Sequence, residues 1–240
     1  MNWLLKVHNQ ISFIFSKRII MNISIETVIP YLYTAIILLF SIGLHEYAHA
    51  RSSYRLWDPT PMLQGRVTMN PFKHISLIGF LAIFFIGFGR GKPVQINPSY
   101  YKHPFRDELI SSMAGPLMNL FLAFLSCFLM FGYNRLMGTS LQDLMMGQFD
   151  LVTIFLYYGT IINISLAVFN LLPIYPLDGY RLVGVFSKDA YNWMKNHAMM
   201  ISIIFLILVM LPGDNLISNI VLTVSEKIYH VFFLLFSFLF

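Results

Sequence analysis

Charge is what this chain has least of. Only 11% of its 240 residues are Asp, Glu, Lys or Arg, whereas 57% are hydrophobic. A soluble domain carries about 25% charged residues, so a water-soluble globule is excluded and the composition is that of an integral membrane protein. The net charge of +5 is then no nucleic-acid footprint, because Lys and Arg in a membrane chain chiefly report orientation. Cysteine is nearly missing too. Cys127 is alone, which rules out a disulfide framework, and its setting, LFLAFLSCFLMF, reads as helix filler. There is no internal repeat, no low-complexity tract and no loop long enough to hold a separate soluble domain. Residues 1–24 contain Lys6, Lys17 and Arg18 but no small-residue cleavage site. They read as an interfacial amphipathic segment rather than a signal peptide.

What is present is a series of apolar runs, near 27–50, 109–132, 149–172, 196–211 and 216–240. A membrane-spanning helix needs roughly 20 apolar residues. The fold class expected is therefore an all-α polytopic membrane protein with about five membrane helices. Residues 25–185 form its core and 186–240 its C-terminal membrane helices. One run, ISLIGFLAIFFIGFG at 75–89, is short for a span and rich in glycine, which suits a re-entrant segment. It leads into KPVQINPS, where Val94 and Ile96 alternate with polar residues between Pro93 and Pro98. That alternation predicts a short β element near the active site, either an edge for an extended substrate or a plain connecting hairpin. Of the sixteen Lys and Arg, eight lie in 50–108 and three in 173–197. The positive-inside rule puts both segments in the cytoplasm, which leaves the N-terminus outside.

Against this apolar background stands HEYAH, residues 45–49. Ionisable side chains in lipid are costly and mark function. Residues four apart share one helix face, so His45 and His49 can reach one zinc ion. Glu46 lies roughly 100° round the helix, where it misses the metal and reaches water instead. This is the zinc-peptidase pattern H-E-x-x-H. A catalytic zinc site usually has three protein ligands, and HARSSYRL lacks the extended H-x-x-G-x-x-H continuation. The third ligand must come from elsewhere. His8, His74, His103, His197 and His230 have no supporting context and read as interface or loop residues. Asp178 follows Pro173 and Pro176 and precedes Gly179. Locally that suits a turn or a helix cap as well as a ligand. Asp178 nevertheless leaves its apolar run on the same basic side as His49. For it to do so, 75–89 must enter and leave the membrane on one side, or lie short of crossing it.

HEYAH on a membrane helix, SMAGPLMN at 112–119 and N-x-x-P-x-x-P-L-D-G at 170–179, in this order, resemble the site-2 protease family of zinc-dependent intramembrane metalloproteases. The resemblance covers about residues 40–185 and suggests a compact bacterial-type member, without a PDZ or regulatory domain. It implies one Zn2+ held by His45, His49 and Asp178, with Glu46 as catalytic base and Asn170 on substrate or the developing oxyanion. It gives Asn119 a structural or substrate-side role, beside the alternative of helix packing through Ala114-Gly115. It also implies membrane-protein substrates in the lipid bilayer, such as membrane-tethered regulators or leftover signal peptides, and a bacterial plasma-membrane location with the site toward the cytoplasm. Three other readings stay open: a zinc-binding or zinc-transport membrane protein without protease activity, a prenyl-protein type of protease, and a catalytically silent relative. The second needs a downstream glutamate ligand, and Glu108 and Glu226 lie in no suitable motif.

Overall fold

In a computed structural model, residues 25–76, 91–147, 149–210 and 216–240 are described. The interfacial reading of 1–24 and most of the re-entrant reading of 75–89 fall outside them. Among the described residues, four helices are long and apolar enough to cross a membrane: α1 (Ile25–Arg55), α2 (Pro104–Met137), α3 (Leu151–Asn170) and a C-terminal helix, Leu216–Leu239. Between α3 and the last helix come α4 (Tyr180–Phe186), α5 (Lys188–Asn196) and α6 (Ala198–Met210), which makes the C-terminal helix α7. The pair α5–α6, bent by 82°, raises the number of spans to five if it counts as one.

Helix ends follow from local chemistry. Asp150 caps α3 by accepting from Thr153 N at 2.7 Å, satisfying an otherwise orphan N–H. It also receives the Tyr133 hydroxyl at 2.6 Å, which ties the end of α2 to the start of α3. Gly138 ends α2 with φ 73, the left-handed turn that glycine adopts freely. The 34 residues of α2 extend for about 50 Å, so it outreaches a hydrocarbon core of about 30 Å.

Lipid is as apolar as leucine and supplies no hydrophobic drive between helices, so close fit has to hold them. Gly159 of α3 supplies such a fit: a Cβ there would sit 3.0 Å from Ser126 Oγ of α2. α7 docks through aromatic rings, with Tyr229 on Tyr157 at 5.5 Å, Phe233 on Phe131 at 5.2 Å and Phe236 on Phe124 at 5.0 Å. These rings close over a core that includes Ala123, Cys127, Met130, Ile164 and Val168. The apolar residues left exposed, such as Leu32 and Phe40 of α1 and Leu117 and Phe121 of α2, suit a surface that faces acyl chains.

The expected β element does not form. Among the described residues there is no strand, and 91–97 run as an unpaired strap. Its N–H groups are claimed by separate acceptors: Lys92 by the His74 carbonyl at 2.7 Å, Val94 by Glu46 Oε2 at 3.0 Å and Asn97 by Asp58 Oδ2 at 2.8 Å. Pro93 has no N–H to offer. A ladder needs one neighbouring chain to take these donors in turn, and here a backbone carbonyl and two carboxylates from different places take them. The reading of KPVQINPS as a free edge falls with the strand.

Candidate metal centre

The last turns of α1, the first turns of α2 and the loop leaving α3 meet at one end of the bundle. α1 and α3 therefore run the same way, with α2 opposite. The flanks of residues 77–90 also meet there, since Lys92 N–H donates to the His74 carbonyl. Two glycines admit this. A Cβ on Gly43 would lie 2.7 Å from Pro71 Cβ, and one on Gly91 would lie 2.8 Å from Ile42 Cγ2.

His45, His49 and Asp178 form a cluster whose ligand atoms lie within 4.8 Å of one another. His45 Nε2 is 3.0 Å from His49 Nε2 and 3.1 Å from Asp178 Oδ2, and His49 Nε2 is 3.2 Å from that oxygen. Ligands at about 2.0–2.1 Å from a tetrahedral zinc are roughly 3.3 Å apart. The triangle is thus close to one face of such a tetrahedron. The donor types agree as well. His49 Nδ1 faces the Ser111 carbonyl at 2.7 Å, and a carbonyl only accepts. Nδ1 therefore carries the hydrogen, and Nε2 turns its lone pair to the centre of the triangle. These residues fit zinc.

Asp178 is brought in by a loop folded onto the end of its own helix. Gly179 N–H donates to the Asn170 carbonyl at 2.7 Å, and a Cβ on Gly179 would collide with the Leu171 carbonyl. Beyond it, Arg181 pairs with Glu108 of α2 at 2.9 Å. Tyr191 donates to the same carboxylate at 3.3 Å and stacks on Tyr180. The loop is thereby pinned on both sides of the aspartate.

Glu46 stands outside the triangle. Its Oε2 accepts from Val94 N, which leaves Oε1 free of that bond. The strap that supplies Val94 is anchored by Asp58, a fully buried carboxylate that accepts from Ser53 Oγ at 2.8 Å, Thr60 N at 2.9 Å and Asn97 N at 2.8 Å. Burial by itself would raise the Asp58 pKa, but the hydrogen bonds from Thr60, Asn97 and Ser53 outweigh it and hold the group below its ordinary range. Asn170 is close by sequence to the loop, and its side chain donates to the Leu166 carbonyl at 2.9 Å. That side-chain bond stays within α3, while the Asn170 backbone carbonyl holds the loop through Gly179 N. Neither His74, His103, His197 nor His230 joins the cluster, and His8 lies outside the described residues.

Sequence reading missed three contributors. Asp58 carries no motif. Gly115, taken for a helix-packing residue, is where a Cβ would run into both imidazoles, 2.6 Å from His45 Nε2 and closer still to His49. Asn163 is a polar residue inside an apolar span, a signal that can be read from sequence. Asn119, left between two roles, accepts at Oδ1 from His45 Nδ1 at 2.6 Å.

A family model described as peptidase family M50 matches residues 33–212. Over 157 residues, 65% of this chain and 69% of the relative, the sequence is 37% identical to YwhC of Bacillus subtilis, a protein named as a zinc metalloprotease. Rip2 of Mycobacterium tuberculosis, named likewise, is 28% identical over 202 residues, 78% of this chain and 71% of the relative. The Rip2 of Mycolicibacterium smegmatis is 31% identical over 171 residues, 66% of this chain and 61% of the relative. No solved structure matches the chain.

Proposed function

The chain belongs to peptidase family M50 and is an intramembrane zinc metalloprotease; from that premise we propose that His45, His49 and Asp178 hold its zinc and that Glu46 is its catalytic base. The observation that carries this reading is the triangle of Nε2, Nε2 and Oδ2 atoms at 3.0–3.2 Å, with the Glu46 carboxylate one residue along the same helix, outside the triangle and held there through one oxygen. A zinc ion held there would polarise a carbonyl oxygen and make water more acidic. Glu46 takes the proton of the attacking water and hands it to the leaving amine. The Val94 N–H holds one oxygen of Glu46, so the other meets the water in a set orientation. Asn170 supplies an amide to the substrate or to the developing oxyanion.

The substrate is a segment of another membrane protein, which must unwind before water can reach its peptide bonds. The reaction takes place at the end of the bundle that carries most of the basic residues. That distribution supports a site facing the cytoplasm in a bacterial plasma membrane. A zinc transporter would use the same three ligands, but it would have no use for a carboxylate held beside them and outside the triangle. Glu46→Gln is therefore expected to keep its zinc and to abolish cleavage of a co-expressed single-span membrane substrate. Zinc content and fragment yield measured on the same preparation check it. Continued cleavage by the purified variant would remove Glu46 from the role.

A further inference from the structure

We infer that Asn163, in the middle of α3, is a positioning residue for the metal centre: acting through Asn119, it selects the tautomer in which His45 presents a bare Nε2 to zinc. The inference rests on the assignment of His45 as a ligand. Asn163 does not touch the ligands, and no motif points to it.

The chain of reasoning is one of donors and acceptors. Asn163 Nδ2 donates to the Gly159 carbonyl at 2.8 Å. A carbonyl only accepts, so the amide of Asn163 is oriented by its own helix, with Oδ1 turned toward α2. There it accepts from Asn119 Nδ2 at 3.0 Å. Asn119 Nδ2 also faces the Ser41 carbonyl of α1 at 3.4 Å, again a pure acceptor. With its nitrogen committed to two oxygens, Asn119 has only Oδ1 to offer His45 Nδ1, and it does so at 2.6 Å. A neutral imidazole carries one hydrogen. An oxygen at Nδ1 places it there and leaves the lone pair on Nε2, which faces Asp178 and His49. Were the Asn119 amide reversed, its NH2 would meet Nδ1, the hydrogen would move to Nε2 and the ligand would be blocked.

His49 needs no such device, because its Nδ1 meets a backbone carbonyl that cannot turn round. His45 meets a side-chain amide, which can. Both asparagines are buried, Asn119 fully. Groups that orient a ligating histidine through its other nitrogen typically change metal affinity by about 10–100-fold when lost.

The test uses the full chain in detergent. A cavity of about 140 Å³ borders Asn163, lined also by Ile37, Ser41 and Leu122, so Asn163→Leu can be accommodated there. This variant is expected to bind zinc about tenfold more weakly in chelator competition. In zinc-stripped, 15N-histidine-labelled protein it should move the His45 imidazole resonances toward the Nε2–H tautomer. Asn163→Ala removes the same acceptor and reads the same way should the leucine variant not fold. The decisive arm is Asn119→Asp. A carboxylate has no amide to reverse and offers His45 only oxygen, so in this background Asn163→Leu should leave the His45 tautomer unchanged and should not weaken zinc binding. The inference is overturned if Asn163→Leu weakens zinc equally in both backgrounds, or if it leaves the tautomer and the affinity as in the parent. His45→Ala separates the two levels. Zinc retained there sinks the ligand assignment, whereas zinc lost there but unaffected by both asparagine changes sinks the relay alone.

Discussion

The two ends of this bundle are held by different forces. At one, α2, α3 and α7 meet through Phe131, Phe236, Tyr157 and Tyr229, with ring upon ring and few directional bonds. At the other, α1, α2 and the loop after α3 meet through His45, His49, Asn119, Asp178 and Asp58, nearly every polar atom aimed at a partner. In lipid, apolar surface gains nothing by leaving the solvent. The aromatic end is stabilised chiefly by shape, with the Tyr133–Asp150 and Asn134–Thr153 hydrogen bonds beside it, and its ring packing tolerates small errors of angle. The metal end is built from bonds that fail within a few tenths of an ångström. A site whose ligands must meet at one point belongs where orientation is set by hydrogen bonds.

Three substitutions sharpen that contrast. The largest effect is expected from Gly115→Ala. Its methyl group enters the space of both imidazoles, so zinc affinity should fall by at least about 100-fold and cleavage should vanish. The helical content and the melting temperature of the zinc-free protein should stay near the parent's. Normal zinc binding would show that the two histidines have room to move. Phe236→Ala attacks the other end. Its ring is almost fully buried, but the alternative environment is lipid, so the transfer part of the usual cost drops out and the cavity part remains, about 2 kcal/mol. Denaturation should occur earlier, with zinc affinity untouched; a matching loss of zinc would mean the two ends are mechanically coupled. The smallest effect is expected from Asp58→Asn, which weakens the anchor of the strap and lowers kcat several-fold at full zinc content. The native pKa of Asp58 lies below its ordinary value. Its contribution to stability is accordingly present above that ordinary value, near 4, and lost as pH falls through the lower one. The acid-induced drop in melting temperature should be smaller in Asp58→Asn than in the parent.

Much of this architecture is legible in the order of residues. The apolar runs mark α1, α2, α3 and α7 because a span must satisfy its own backbone, and only helical periodicity does so. The histidine pair is legible for the same reason, since four residues along a helix is a local distance. KPVQINPS was read wrongly as a strand. Alternation is also local, but a strand exists only if a neighbour accepts its N–H groups, and here Glu46 and Asp58 accept them instead.

By itself, then, the sequence determined a membrane helix with two imidazoles on one face and a glutamate beside them. Backbone hydrogen bonding sets that geometry over a few residues, wherever the rest of the chain goes. The motif around Asp178 pointed to a third ligand, but only the tertiary structure brings that residue, 129 positions from His49, to within 3.2 Å of it, shows that Gly115 makes room for the imidazoles and sets Asn163 behind Asn119. Those contacts join helices far apart along the chain. Close packing and the pairing of buried polar groups select them, and neither force leaves a period in the sequence.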